Sequence, residues 1–182
     1  MIIIDDFIKD RDLLNEIDKD ENFFGPNGSF MWWDGWWNTG VNTLKKKLIQ
    51  HIWRDNSPDK SYDLVGFEYW TGVYGHDKPN KNLGNHYDKD ELHFKRTGEI
   101  IRPLIGTVFY PKNVPFTGGL LEIESGGEVE SIRAKYNRLV IFDAGNDLHR
   151  VTEVTSGTRY AIAINLWGVI PYAVTEGLMI VE

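Results

Sequence analysis

Between residues 64 and 167 the chain breaks into short apolar, β-branched and aromatic runs punctuated by glycine, proline and asparagine. That pattern leaves few architectures open. The runs are VGFEYWTGVY (65–74), LIGTVFY (104–110), GLLEIES (119–125), GEVESIRA (127–134), RLVIFDA (138–144), LHRVTEV (148–154) and RYAIAINLW (159–167). Turn chemistry separates them: Pro111, Asn113 and Pro115, the pairs Gly118-Gly119 and Gly126-Gly127, Ala144-Gly145-Asn146, and Ser156-Gly157. Many short strands joined by regular turns specify a sandwich or barrel. Ahead of them, Leu13, Leu14 and Ile17 sit at helical spacing in RDLLNEID, and a Gly/Pro/Asn loop follows at residues 25–29. The cluster MWWDGWWN spans 31–38. A second helix is expected from Val41 to Trp53, with Leu44, Leu48, Ile49 and Ile52 on one side and Lys45, Lys46 and Lys47 on the other. The expectation is one domain over residues 1–182, mainly β with packed helices: a helical support over 1–60 and a β core over 64–170.

Composition narrows the chemistry. The 182 residues include no cysteine, which excludes a disulfide scaffold, a thiolate zinc site, an iron–sulfur cluster and cysteine catalysis. Any metal must rest on Asp, Glu and the five His. A formal charge of −7 argues against a general nucleic-acid binder, whose phosphate contacts need a basic surface, so no duplex nucleic acid is expected as partner. The 13% aromatic content is too high for a disordered chain. Met1-Ile2-Ile3-Ile4 runs directly into Asp5 and Asp6, giving no basic n-region, and no apolar run reaches the roughly 20 residues of a membrane helix. A soluble, cytoplasmic protein is expected.

Of the five His, His51 falls in the second helix without a carboxylate at metal spacing, and His76 in a polar loop. His86 belongs to His86-Tyr87-Asp88, and on an extended strand residues i and i+2 point to one face, as two adjacent metal ligands require. Taken alone this is weak: five His and fifteen Asp give about 0.4 such matches by chance. His149 strengthens it. Two His and one carboxylate make the facial triad of non-haem Fe(II) oxygenases, which leaves positions open for co-substrate and O2.

Ten residues beyond His149, after the expected turn TSGT, Arg159 opens the strand RYAIAINLW. Its alternation puts Arg159, Ala161, Ala163 and Asn165 on one face and Tyr160, Ile162, Ile164 and Leu166 on the other. The second face packs a core. A cation above small side chains on the first leaves room for a compact anion, which the planar guanidinium pairs bidentately.

Six segments in order, EYWTGVY, NHYD, GTVFYPKN, GGLLEIE, YNRLVIFDAGNDLHRV and TSGTRYAIAINLW, resemble the prolyl-4-hydroxylase-like branch of the 2-oxoglutarate- and Fe(II)-dependent dioxygenases over about residues 64–167. The resemblance implies a double-stranded β-helix, a jelly roll related to the cupins. It implies His86, Asp88 and His149 as the iron ligands and Arg159 as the residue binding the distal carboxylate of 2-oxoglutarate. Tyr110 and Tyr74 match active-site tyrosines of the co-substrate pocket. Asn165, also assigned to that pocket, stands where several relatives carry Trp. The implied cofactors are Fe(II), 2-oxoglutarate and O2, with ascorbate as a reductant. The implied reaction is hydroxylation of an unactivated C–H, with a peptidyl prolyl residue as first substrate. A free amino acid or other small molecule is the alternative within the enzyme class, and a non-catalytic jelly-roll binding module the alternative outside it.

Two polar stretches are candidate substrate covers: residues 89–100, where His93, Phe94, Lys95 and Arg96 are potential contacts, and the loop at 75–85. The pairs Trp32-Trp33 and Trp36-Trp37 are read as sealing the joint between leading helices and β core rather than as a stacking platform.

Overall fold

The computed structural model describes residues 1–25, 29–56 and 63–181. The loop expected at 25–29 lies mostly outside them. The elements, in chain order, are β1 (Ile2–Ile4), α1 (Arg11–Lys19), β2 (Met31–Trp33), α2 (Leu44–Gln50), β3 (Gly66–Gly75), β4 (Leu83–His86), α3 (Glu91–Thr97), β5 (Ile105–Tyr110), β6 (Phe116–Gly118), β7 (Leu121–Ser125), β8 (Glu128–Ile132), β9 (Arg138–Phe142), β10 (Leu148–Val151), β11 (Val154–Trp167), α4 (Tyr172–Thr175) and β12 (Ile180–Val181).

The strands form two sheets. The larger runs β1-β9-β5-β11-β3-β2-β12, with β6 paired to β11, and the smaller runs β4-β10-β7-β8. Every pairing is antiparallel except that of β12 with β2. Tyr110, Val140, Phe142 and Ala161 of the large sheet pack with Leu121, Ile123 and Ile132 of the small one, so the two sheets face each other as the sandwich expected from the strand pattern, in the jelly-roll form that the resemblance implied.

The outward face of the large sheet carries the helices. Ile162, Ile164 and Leu166, with Phe67 and Tyr69, form one core with Leu13, Leu14 and Ile17 of α1 and Leu48 and Ile49 of α2. Helix α1 starts where the Asp10 carboxylate accepts from the N–H groups of Asp12 and Leu13. Helix α2 is shorter than the Val41–Trp53 span expected, and continues as a π-helical turn, His51–Asp55, which buries Ile52 and Trp53. Trp33 is fully buried and stacks on Phe67, with Trp36 against both. The aromatic cluster therefore seals the joint between sheet and N-terminal segment, with Trp37 at its exposed edge.

Two local expectations change. Residues 91–97 are helical rather than loop, because the Asp90 side chain caps His93 N–H and Gly98, at φ 77°, closes the last turn. The TSGT segment is not a turn but the start of β11, where Gly157, at φ 68°, pairs with Phe116 beside an irregular step in register. Among the described residues, no helix is long and apolar enough to cross a membrane.

Candidate active site

Register between β3 and β11 builds one wall of the barrel. Arg159 lies opposite Tyr74, Ala161 opposite Gly72, Ala163 opposite Trp70, and Asn165 opposite Glu68. These inward residues line two connected spaces: a narrow inner cavity at the Arg159 end and an open outer chamber of about 590 Å³ at the Glu68 end. That volume lies within the range of small-ligand sites.

His86, Asp88 and His149 meet where the two spaces join. His86 ends β4 and His149 sits on β10, directly opposite it across the ladder. The strand stops before Asp88, so the shared face of an H-x-D strand does not by itself position the carboxylate. The Asp88 N–H instead donates to the Ala144 carbonyl at 2.9 Å. Asp88 Oδ1 lies 3.6 Å from His86 Nε2 and 3.7 Å from His149 Nε2, and the three ligand atoms fall within 4.8 Å of one another.

Hydrogen bonding fixes which lone pairs are free. His86 Nδ1 lies 2.7 Å from the Gly84 carbonyl and His149 Nδ1 lies 2.9 Å from that of Asp147. A carbonyl only accepts, so each Nδ1 carries the proton and each Nε2 presents a lone pair. Burial lowers the pKa of His149 against the opposing pull of Asp88, keeping its imidazole neutral. On Asp88, Oδ2 accepts from Asn165 Nδ2 at 2.9 Å, which leaves Oδ1 to face the imidazoles. Two imidazole Nε2 atoms and one carboxylate oxygen, each side chain held by a partner on its far side, suit a divalent first-row ion.

The inner cavity suits an anion. Arg159 is 2% exposed, and its Nη2 donates to the Tyr110 hydroxyl at 3.2 Å. Its guanidinium lies 5.0 Å from the Tyr110 ring and 5.7 Å from the Tyr74 ring. Among the described residues no carboxylate pairs with it. Arg159 Nε and Thr107 Oγ1, both on this cavity, are buried without a hydrogen-bond partner. Such orphaned groups are rare and costly, and a bound carboxylate satisfies them. Burial raises the Tyr74 hydroxyl above its ordinary pKa despite Arg159, so it stays a neutral donor. Gly72, Ala161 and Ala163 keep the space open.

Four residues named from sequence, Arg159, Tyr110, Tyr74 and Asn165, come together here with the triad, but Asn165 reaches Asp88 through its amide. Of the potential substrate contacts on 89–100, Lys95 lines the outer chamber. His93 and Arg96 turn toward Tyr172, and Arg96 pairs with Glu176 at 3.2 Å, tying α3 to the C-terminal segment. Asn80 and Asn82 of the second cover also line the chamber. His51 packs edge-on against Phe7, and His76 is exposed.

Glu68 escaped the sequence reading. It lines the chamber, accepts from Trp167 Nε1 at 3.1 Å, and burial pushes its pKa up to about 7, with Asp88 adding to the rise. The signal lay in EYWTGVY, where Glu68, Trp70, Gly72 and Tyr74 alternate like the Arg159 face, but only cross-strand register joins the two stripes.

The 2OG-Fe(II) oxygenase superfamily model matches residues 70–167, more than half of the chain. No curated protein matches the sequence significantly. Solved structures share the fold at low identity. A Pseudomonas putida prolyl-4-hydroxylase aligns with TM-score 0.61 and 16% identity, over 93% of this chain and 88% of its own. A Trichoplax adhaerens prolyl hydroxylase, solved with a hypoxia inducible factor oxygen degradation domain peptide fragment, aligns with TM-score 0.57 and 17% identity, over 92% and 83%. The viral collagen prolyl hydroxylase of Paramecium Bursaria Chlorella virus-1, in its 2OG complex, aligns with TM-score 0.55 and 16% identity, over 93% and 96%. This chain belongs to the 2OG-Fe(II) oxygenase superfamily.

Proposed function

We propose that this oxygenase is a hydroxylase in which His86, Asp88 and His149 hold Fe(II), Arg159 holds 2-oxoglutarate, and a prolyl residue of a peptide is the first substrate. The observation that carries the reading is the meeting of the triad's free lone pairs with a buried Arg159 that has an unpartnered Nε and, among the described residues, no carboxylate beside it, on the same cavity. When bound, Fe(II) and 2-oxoglutarate supply the O2-dependent chemistry that inserts one oxygen atom into a C–H bond and releases succinate and CO2.

The chain's own residues orient and exclude. Gly84 and Asp147 carbonyls hold the two imidazoles as Nδ1–H tautomers, and Asn165 turns the Asp88 carboxylate. Arg159, with the Tyr110 hydroxyl beside it, anchors the distal carboxylate of the co-substrate, and the Tyr74 phenol covers it. Phe142, Val151 and Leu121 keep that end apolar and dry. Ascorbate fits as the reductant that keeps the iron Fe(II).

A second reading, a free amino acid or other small molecule as substrate, is favoured by the C-terminal segment. Pro171, Ala173, Leu178 and Met179 wall the outer chamber, and β12 fastens that segment to β2. Succinate release, screened over prolyl peptides, free amino acids and nucleosides, separates the two. Stimulation by prolyl peptides is expected. Stimulation by free amino acids alone supports the second reading, and no stimulation by any class, in protein that binds 2-oxoglutarate, contradicts the hydroxylase.

A further inference from the structure

The β3–β11 wall carries a basic group at one end and an acidic group at the other. Arg159 and Tyr74 face each other at one end, and Asn165 and Glu68 at the other, six residues or about 20 Å of strand away. Between them the inward positions are Gly72, Trp70, Ala161 and Ala163, which put no charge in the path.

The other charged groups on the outer chamber are accounted for. Lys89 pairs with Glu91 at 2.6 Å, Asp90 caps α3 and accepts from Tyr172 N–H, and Asp88 belongs to the triad. Lys95 lies exposed at the rim. Among the described residues of the chamber, Glu68 is the acidic group outside the triad that sits beside Trp70 and Trp167 with neither a cation partner nor a helix cap to hold it, and Asp90 is near enough to repel its charge. Among the described residues its carboxylate meets neutral donors, the Trp167 indole N–H and the Asn165 amide, and no cation.

We propose that Glu68 is a specificity-determining residue, and that the substrate of the outer chamber presents a protonated nitrogen to its carboxylate. A carboxylate among aromatic walls is disfavoured unless an opposite charge arrives, and aromatic faces themselves attract cations. An ammonium in the chamber therefore gains both the charge-assisted hydrogen bond and the indole face. An internal prolyl residue has neither charge nor N–H to offer. A free or N-terminal proline does, through its ring ammonium, as does a lysine or arginine side chain beside the residue that is hydroxylated. The inference rests on the hydroxylase reading for what the chamber is used for, but not for the charge it selects.

Binding of matched probes to the full-length protein tests it, with and without Mn(II) and N-oxalylglycine. The charged members are pyrrolidinium, a prolyl dipeptide with free N-terminus, butylammonium and butylguanidinium. The neutral members are N-acetylpyrrolidine, the N-acetylated dipeptide and butanol. The charged member is expected to bind at least about tenfold more tightly than its neutral partner, and Glu68→Gln to bring that ratio near one. Glu68→Asp, which keeps the charge one methylene back, is expected to retain part of it. The pyrrolidinium and dipeptide arms report a cation on the hydroxylated ring, and the butyl arms a flanking side chain. No preference in the wild type, or a preference that Glu68→Gln leaves intact, overturns the proposal. The wild-type ratio stands even if the variants fail to fold. Failure to bind N-oxalylglycine, with the charge preference retained, counts against the oxygenase site alone.

Discussion

Arg159 and Glu68 sit at opposite ends of the same two strands, yet they are held differently. The guanidinium keeps its charge in any protein environment, so its burial with an unpartnered Nε is a standing demand for an anion. The carboxyl has another option: burial pushes it up to about 7, so near neutral pH it carries its charge only in part. One end of the barrel is thus a permanent ion open to an anion. The other is a conditional ion, whose charge depends on pH and on any cation placed beside it. The candidate metal-binding triad of His86, Asp88 and His149 lies between, tied to the conditional end through Asn165.

The largest effect is expected at the permanent end. Arg159→Leu removes the buried cation and should weaken N-oxalylglycine binding by about 3 kcal/mol, more than a hundredfold, by titration calorimetry. A loss under tenfold would break the contrast between the ends. Next comes the link between them. Asn165→Leu frees Asp88 Oδ2, and should lower Mn(II) affinity about 10- to 100-fold in a competition titration. Unchanged metal binding would show that the amide does not orient the ligand.

The conditional end is read by pH. A carboxyl whose folded pKa exceeds its unfolded value of 4.5 binds more protons folded than unfolded. Stability of the chelator-treated protein should therefore be greatest below about 4.5, as far as Glu68 is concerned, and fall as pH rises to about 7. Denaturant titrations of wild type and Glu68→Gln at pH 5 and pH 8 should show a wild-type advantage at pH 5 that shrinks by about 2 kcal/mol at pH 8, the subtraction removing the opposite contribution of His149, whose lowered pKa adds stability as pH rises. A wild-type minus Glu68→Gln difference that does not change between the two pH values contradicts the conditional charge. The smallest effect is at the rim: Lys95→Gln should change substrate KM less than about threefold, because an exposed charge is screened.

The strand-built sandwich was legible in sequence because it rests on local patterns, whereas the candidate triad emerged only when His149 and the ordered family-like segments were added to a weak H-x-D spacing. Strand alternation and Gly/Pro turns specify the sheets, and the small residues between Arg159 and Asn165 mark an inward face. What escaped depends on pairing. Glu68 becomes part of the site only through its place opposite Asn165, a partner 97 positions away by residue number, and no single strand shows that register. Helix α3 escaped for a different reason. It buries no side chain, so it lacks an apolar stripe, and its signals are the end caps Asp90 and Gly98. The extra length of β11 was hidden by Gly157, whose positive φ reads as a turn but serves a bulged strand.

The central claim, that His86, Asp88 and His149 bind Fe(II) with 2-oxoglutarate held by Arg159, is tested most directly by anaerobic visible absorption of the protein with both added. The account predicts the weak charge-transfer band of the chelated keto acid, present in the wild type and lost in His149→Ala and Arg159→Leu. A folded wild-type protein without the band, or a band that survives His149→Ala, contradicts it.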